Sequence, residues 1–173
     1  MSQSENPVLS TERAASNCVF CKIADRGEAV AYENEYFFVR FDKFPVSPGH
    51  SLIIPKRHVV SVFDLEADEW VAMKDALNKA KAIIELSDLS ALYQAQLAQA
   101  TDGKVAVYAQ AMLASAFIGR PPDGYNVGNN DGIAAGRTVH HLHIHVIPRY
   151  AGDVGNPVGG VRNILPFLGN YRS

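Results

Sequence analysis

The stretch Thr138-Val139-His140-His141-Leu142-His143-Ile144-His145-Val146-Ile147 constrains this chain more than any other. In a strand, successive side chains point to opposite faces. His141, His143 and His145 then share one face, while Leu142, Ile144 and Val146 line the other and can pack into a core. His140 points away from the three and reads as structural. Four of the chain's six histidines fall here, so a half-exposed strand whose polar side merely happens to be histidine is a poor account. Pro148 predicts the strand's end.

Two chemistries suit three alternating imidazoles. Alternate residues lie about 6.7 Å apart, which separates His141 from His145 by about 13 Å along the strand. Neighbouring histidines could share a metal, but nitrogen–metal distances near ~2 Å make convergence of all three difficult. A neutral histidine that attacks phosphorus or a carbonyl carbon, with adjacent imidazoles donating to the developing charge, fits the geometry better.

The rest of the chain frames this strand. Its 173 residues amount to one domain, read as a mobile tail over 1–16 and a single domain over 17–173. Sixteen Lys and Arg against eighteen Asp and Glu leave a net charge of −2, so no global field draws the chain to nucleic acid or an acidic membrane. It has no apolar run of the ~20 residues needed to span a bilayer. Met1–Asn17 lacks the charged start and apolar stretch of a secretory signal. The expectation is a cytoplasmic protein with neither nucleic acid nor membrane as partner.

The pattern also predicts a hairpin from Ala29-Val-Ala-Tyr32 and Tyr36-Phe-Phe-Val-Arg-Phe41, then a loop from Asp42 to Gly49. A buried strand follows over His50–Pro55. A helix is expected from Asp64 to about Leu86, with Leu65, Trp70, Met73, Ala76, Leu77, Ala80, Ile83 and Ile84 as its inward stripe. Ala-rich segments over 87–119 read as helical, broken at Asp102-Gly103. A further strand, Tyr125–Asn129, precedes a Gly/Ala-rich turn. Strands joined by hairpins, with helices between, make an α+β fold on an antiparallel sheet.

At this point the chain resembles the histidine triad (HIT) superfamily of nucleotide hydrolases and transferases. The alternation His141-Leu-His143-Ile-His145-Val matches its signature. Cys18-Val-Phe-Cys21-Lys-Ile, Pro48-Gly49-His50, Ile54-Pro55-Lys56-Arg57-His58, Gly124-Tyr-Asn-Val and Ala135-Gly136-Arg137-Thr138-Val139 follow in family order. The likeness covers roughly residues 18–86 and 121–162. It implies a five-stranded antiparallel sheet with flanking helices, extended across a homodimer. It also implies that His143, within the triad of His141, His143 and His145, attacks the α-phosphorus of a nucleotide conjugate. A nucleotidyl-histidine forms, and water cleaves it to a nucleoside monophosphate.

By the same resemblance Asp42 would accept from the ribose hydroxyls, and His50 lines the site. Asn130 would stand near the phosphate or leaving group. His145 and the amides around Thr138-Val139, with Gly136 and Arg137 beside them, would hold phosphate oxygens. Arg137 departs from the family's usual neutral residue. It could grip an extra phosphate or point to solvent. Together with the Pro148-Arg149 ending it tilts the substrate towards a purine dinucleoside polyphosphate, with a phosphoramidate next.

A single CxxC, Cys18 to Cys21, is by spacing only half a zinc site; two reduced thiols are the plain alternative. The resemblance supplies the other ligands of a structural zinc, His58 and His141, and leaves His143 and His145 for chemistry. Two further functions stay open: a nucleotide- and zinc-binding regulator or scaffold with little turnover, and a zinc hydrolase whose metal activates water.

Overall fold

The core begins at Phe37-Phe38-Val39, where consecutive large apolar residues demand partners on both sides of a strand. In the computed structural model, which describes residues 17–165 and Gly169, those partners are two helices. The expected tail, 1–16, lies outside the described residues. Five strands, β1 (Tyr32–Glu33), β2 (Phe37–Phe41), β3 (Ser51–Pro55), β4 (Gly124–Gly128) and β5 (Ile144–Arg149), form an antiparallel sheet in the order β1-β2-β3-β5-β4. Among the described residues, four α-helices accompany it: α1 (Val19–Arg26), α2 (Ala67–Leu86), α3 (Leu89–Gln99) and α4 (Gly103–Leu113). The expected α+β class and five-stranded sheet are both present.

Strand parity divides the interior. Phe37, Val39, Ile53, Leu142, Ile144 and Val146 meet Met73, Ala76, Ala80 and Ile84 of α2. Phe38, Leu52 and Ile54 point the other way, onto Cys18, Phe20 and Ile23 at α1. Gly27 ends α1 in a left-handed conformation, its N–H returning to the Ala24 and Ile23 carbonyls. Leu89, Tyr93 and Met112 make a separate cluster between α3 and α4 that reaches the sheet at Phe41. The expected helix break is observed: Asp102 caps α4 by accepting from the Lys104 N–H.

Three local expectations are corrected. Trp70 is 47% exposed, whereas Glu69 beside it is 3% exposed. Glu66 and Glu69 close a capping box at the start of α2, and Glu69 also takes Arg57 at 2.9 and 2.7 Å. With Glu69 turned inward, its neighbour is rotated about 100° outward.

The histidine strand joins the sheet only at Ile144. Upstream, the Leu142 N–H donates to the Val59 carbonyl at 2.6 Å, so this stretch is held by the loop after β3 and not by the ladder. Pro148 does not end β5, which continues to Arg149. It pairs with Tyr125 beyond the last β3 partner of β5, Val146 opposite Ser51, where its missing N–H breaks no ladder bond to β3. No helix among the described residues is long and apolar enough to cross a membrane.

Candidate functional site

The α1 side of the sheet carries the cavity that His143 and His145 line. Register sets Arg40 of β2 opposite Leu52 of β3, and Leu52 opposite His145 of β5. Above this row lies that cavity, of about 270 Å³. Val19, Phe20 and Ile23 of α1 form one wall, and Arg40, Asp42, Lys43, Phe44 and Leu52 another. Thr138, Val139, His143 and His145 complete it.

Hydrogen bonds fix the tautomers. His143 Nδ1 lies 2.8 Å from the His141 carbonyl oxygen. A carbonyl only accepts, so Nδ1 carries the proton and Nε2 a lone pair. The Phe20 ring packs on this imidazole with centroids 5.3 Å apart. The Val46 N–H donates to His50 Nδ1 at 3.3 Å, which makes His50 Nε2 the protonated nitrogen in the neutral ring. That nitrogen stands 3.0 Å from His145 Nδ1, so His145 in turn carries its proton on Nε2. Burial holds His50 below the ordinary histidine value. It pushes His145 down to about 4, with His50 and His143 adding to the effect. Asp42, His50 and His145 lie close enough to suit a metal, but the two imidazoles are already committed to each other and to Val46.

The other donor cluster is built differently. Cys18 precedes α1, Cys21 lies in its first turn, His58 follows β3 and His141 precedes β5; their donor atoms all lie within 4.8 Å of one another. His141 Nε2 donates to the Pro55 carbonyl at 2.8 Å, turning Nδ1 towards Cys18 Sγ at 3.3 Å and Cys21 Sγ at 3.5 Å. His58 Nδ1 is 3.3 Å from Cys21 Sγ. A tetrahedron with bonds of about 2.0–2.3 Å has N–S edges of about 3.5 Å, so two thiolates and two imidazoles at these separations fit zinc. Burial, followed by the neighbouring Cys18, pushes the Cys21 thiol up to about 12.

The remaining residues singled out from sequence sit around the turn that leads to Thr138. Gly136 closes the short helical turn Ile133–Ala135 at φ 90°, a conformation that favours glycine, and the Asn130 amide lies over it. Arg137 donates to the Val60 carbonyl at 3.3 Å and lies 3.9 Å from Asp131, while Asp131 takes Ser61 Oγ and the Val62 N–H. Asn130, Gly136 and Arg137 do not line the cavity. Sequence reasoning missed the α1 wall and Arg40. The available signal for Arg40 was one basic residue inside Phe37-Phe38-Val39-Arg40-Phe41.

Helices α3 and α4 reach the site from behind. The Gly49 N–H donates to Tyr93 Oη of α3 at 2.8 Å, and Tyr108 of α4 meets Phe44 edge-on with centroids 5.5 Å apart. Tyr150 Oη donates to the Pro48 carbonyl at 3.0 Å. The loop carrying Asp42 and His50 is thus fastened at several points.

A match to the HIT domain runs over residues 25–152. The chain belongs to the HIT family. This HIT protein is 30% identical over 152 residues to an uncharacterised HIT-like protein of Methanocaldococcus jannaschii, covering 85% of this chain and 91% of that one. A HIT family protein of Bacillus anthracis superposes with a TM-score of 0.55 at 30% identity, over 79% of this chain and 75% of the other. A zinc-bound histidine triad family protein of Mycobacterium smegmatis matches with a TM-score of 0.50 at 30% identity, over 80% and 79%. The HIT fold is generally a nucleotide-binding one.

Proposed function

We propose that this HIT protein is a hydrolase of nucleotide conjugates that works through a covalent nucleotidyl-histidine. The observation that carries this is the His143 ring, held through Nδ1–H on the His141 carbonyl with its Nε2 lone pair left for the cavity. His143 Nε2 attacks the α-phosphorus and the bond to the leaving group breaks, the leaving group taking a proton from water. Water then attacks the same phosphorus, the P–N bond breaks, and a nucleoside monophosphate departs. His145 Nε2–H and the amides around Thr138 and Val139 stabilise the phosphate oxygens. Asp42, on the cavity wall beside them, accepts from the ribose hydroxyls.

Dinucleoside polyphosphates come first as substrates and phosphoramidates next. The two arginines that favour a polyphosphate from sequence have other partners: Arg137 is tied to Val60, and Arg149 to Asp153 and Asn126. Assay therefore decides between the substrate classes.

Cys18, Cys21, His58 and His141 would hold a structural zinc, which when bound cross-links α1 to the segments flanking β3 and β5. Four protein donors leave no open position for water, which favours histidine over metal as the attacking group. β4 is an edge of the sheet, and we assign it to pairing with its copy in a homodimer; light scattering should return twice the 18.8 kDa chain mass.

The test is His143→Ala, assayed on a dinucleoside polyphosphate and an adenosine phosphoramidate, alongside acid quench of the wild type to trap the nucleotidyl adduct. Loss of turnover by a factor of 10³ or more on the order expected for a nucleophile, with the adduct seen only in wild type, supports the reading. Unchanged turnover in the variant overturns it. Tight nucleotide binding with no turnover by the wild type favours a regulatory role.

A further inference from the structure

β2 carries one charged side chain, and it is buried. Arg40 is 4% exposed, sits on the α1 side of the sheet and lines the cavity with His143 and His145. The one hydrogen bond of its side chain among the described residues runs from Nε–H to the Phe41 carbonyl at a long 3.5 Å. Asp42 and Glu28 lie near enough to be felt, but burial still holds this guanidinium below its ordinary value. A guanidinium has five donors; those of Arg40 beyond Nε have no protein partner among the described residues, and none is sealed off from the cavity. The side left open to them is the cavity.

Position says what would meet them. Arg40, Leu52 and His145 lie side by side on β2, β3 and β5, so the backbones of Arg40 and His145 are about 10 Å apart, two strand spacings. A nucleotide with its phosphorus at His143 and its ribose at Asp42 lays its base over Leu52, against Phe20 and Ile23. Apolar walls cover the faces of such a base, and Arg40 meets its edge.

Purines differ on that edge. Guanine offers two acceptors, O6 and N7, in the fork that a guanidinium matches; adenine sets an N6 donor beside N7. We propose that Arg40 selects 6-oxopurine nucleotides, guanine above all, for this site. The proposal rests on the nucleotide reading given above.

Calorimetric titration with GMP, IMP, AMP and ribose 5-phosphate tests it. Wild type should bind GMP and IMP about tenfold more tightly than AMP, in the range of one bidentate contact. Arg40→Met should weaken GMP and IMP to within about twofold of AMP, leaving AMP and ribose 5-phosphate unchanged. Arg40→Lys, which keeps the charge without the fork, should recover only part of the preference. In wild type, 7-deaza-GMP should bind more weakly than GMP, which needs no variant to fold.

Equal binding of GMP and AMP by wild type overturns the proposal. So does an Arg40→Met variant that weakens all four ligands alike, since that marks a phosphate-binding or structural role. If nucleotides turn over without base preference, only the Arg40 assignment fails; if the wild type binds none of them, the nucleotide reading fails with it.

Discussion

The carbonyl of His141 accepts from His143 at 2.8 Å, while the imidazole of the same His141 faces Cys18 and Cys21. One residue thus belongs to the metal-type cluster through its side chain and to the cavity through its backbone.

Metal removal should therefore act on both. Purified protein is expected to contain about one zinc per chain, the stoichiometry of a four-ligand site. Chelation, or Cys21→Ser, should lower the melting temperature and weaken nucleotide binding together. Metal analysis with thermal melts checks this; a metal-free protein with unchanged melting would contradict it.

His50 is expected to act through His145, 3.0 Å away. In His50→Phe the donor to His145 Nδ1 is lost, and the His145 tautomer is no longer fixed. The expected result is a fall in kcat of about 10- to 100-fold, in the range of general acid–base effects, with KM nearly unchanged. An equal loss in KM alone would contradict a role in orienting His145.

Stability should fall on mild acidification. His145 in the folded protein titrates at about 4, below the ~6.5 of an unfolded histidine. Between those values the unfolded chain binds the proton first, so lowering the pH through this window favours unfolding, and above about 6.5 the contribution is constant. In metal-free protein, burial gives His141 the same sign. Glu69 and Asp131, held down by Arg57 and by Ser61, lose their contributions at lower pH, as they become protonated. Melts from pH 7.5 to 4.5 should show a decline that is shallower in His145→Gln.

The loop bearing Asp42 and His50 depends on one glycine and one tyrosine. Gly49 has φ +85°, and a β-carbon there would lie 2.9 Å from Ile84. Gly49→Ala combines left-handed strain of about 1–2 kcal/mol with overpacking of about 1–3 kcal/mol. Tyr93→Phe strands the Gly49 N–H at a cost of about 1–3 kcal/mol. Denaturant unfolding should rank both below wild type. Tyr108→Ala, by contrast, should leave stability within about 1 kcal/mol and raise KM by releasing Phe44.

Much of this was legible because period-2 parity survives where hydrogen-bonded pairing does not. His141 and His143 lie outside the β5 ladder, yet Leu142 between them still enters the α2 core beside Ile144. Where the strand would start was not legible, because the Leu142–Val59 bond joins residues far apart in the chain. The outward turn of Trp70 depends on a capping box and a partner at Arg57, and hydrophobic spacing alone carries neither. Arg137 could not be placed from its own segment, since Val60 and Asp131 decide where it points.

Helix α1 has eight residues, too few to persist alone in water. Its apolar partners Phe38, Leu52 and Ile54 follow soon after it in the chain, whereas Cys18 meets His141 across 123 positions. Closing so long a loop is a slow, late event in folding. The joining of Cys18 and Cys21 to His141 should consequently be the last contact to form, with α1 amides reaching full protection only then in pulse-labelled hydrogen exchange. On the ribosome the earliest of these parts made would be the latest one finished.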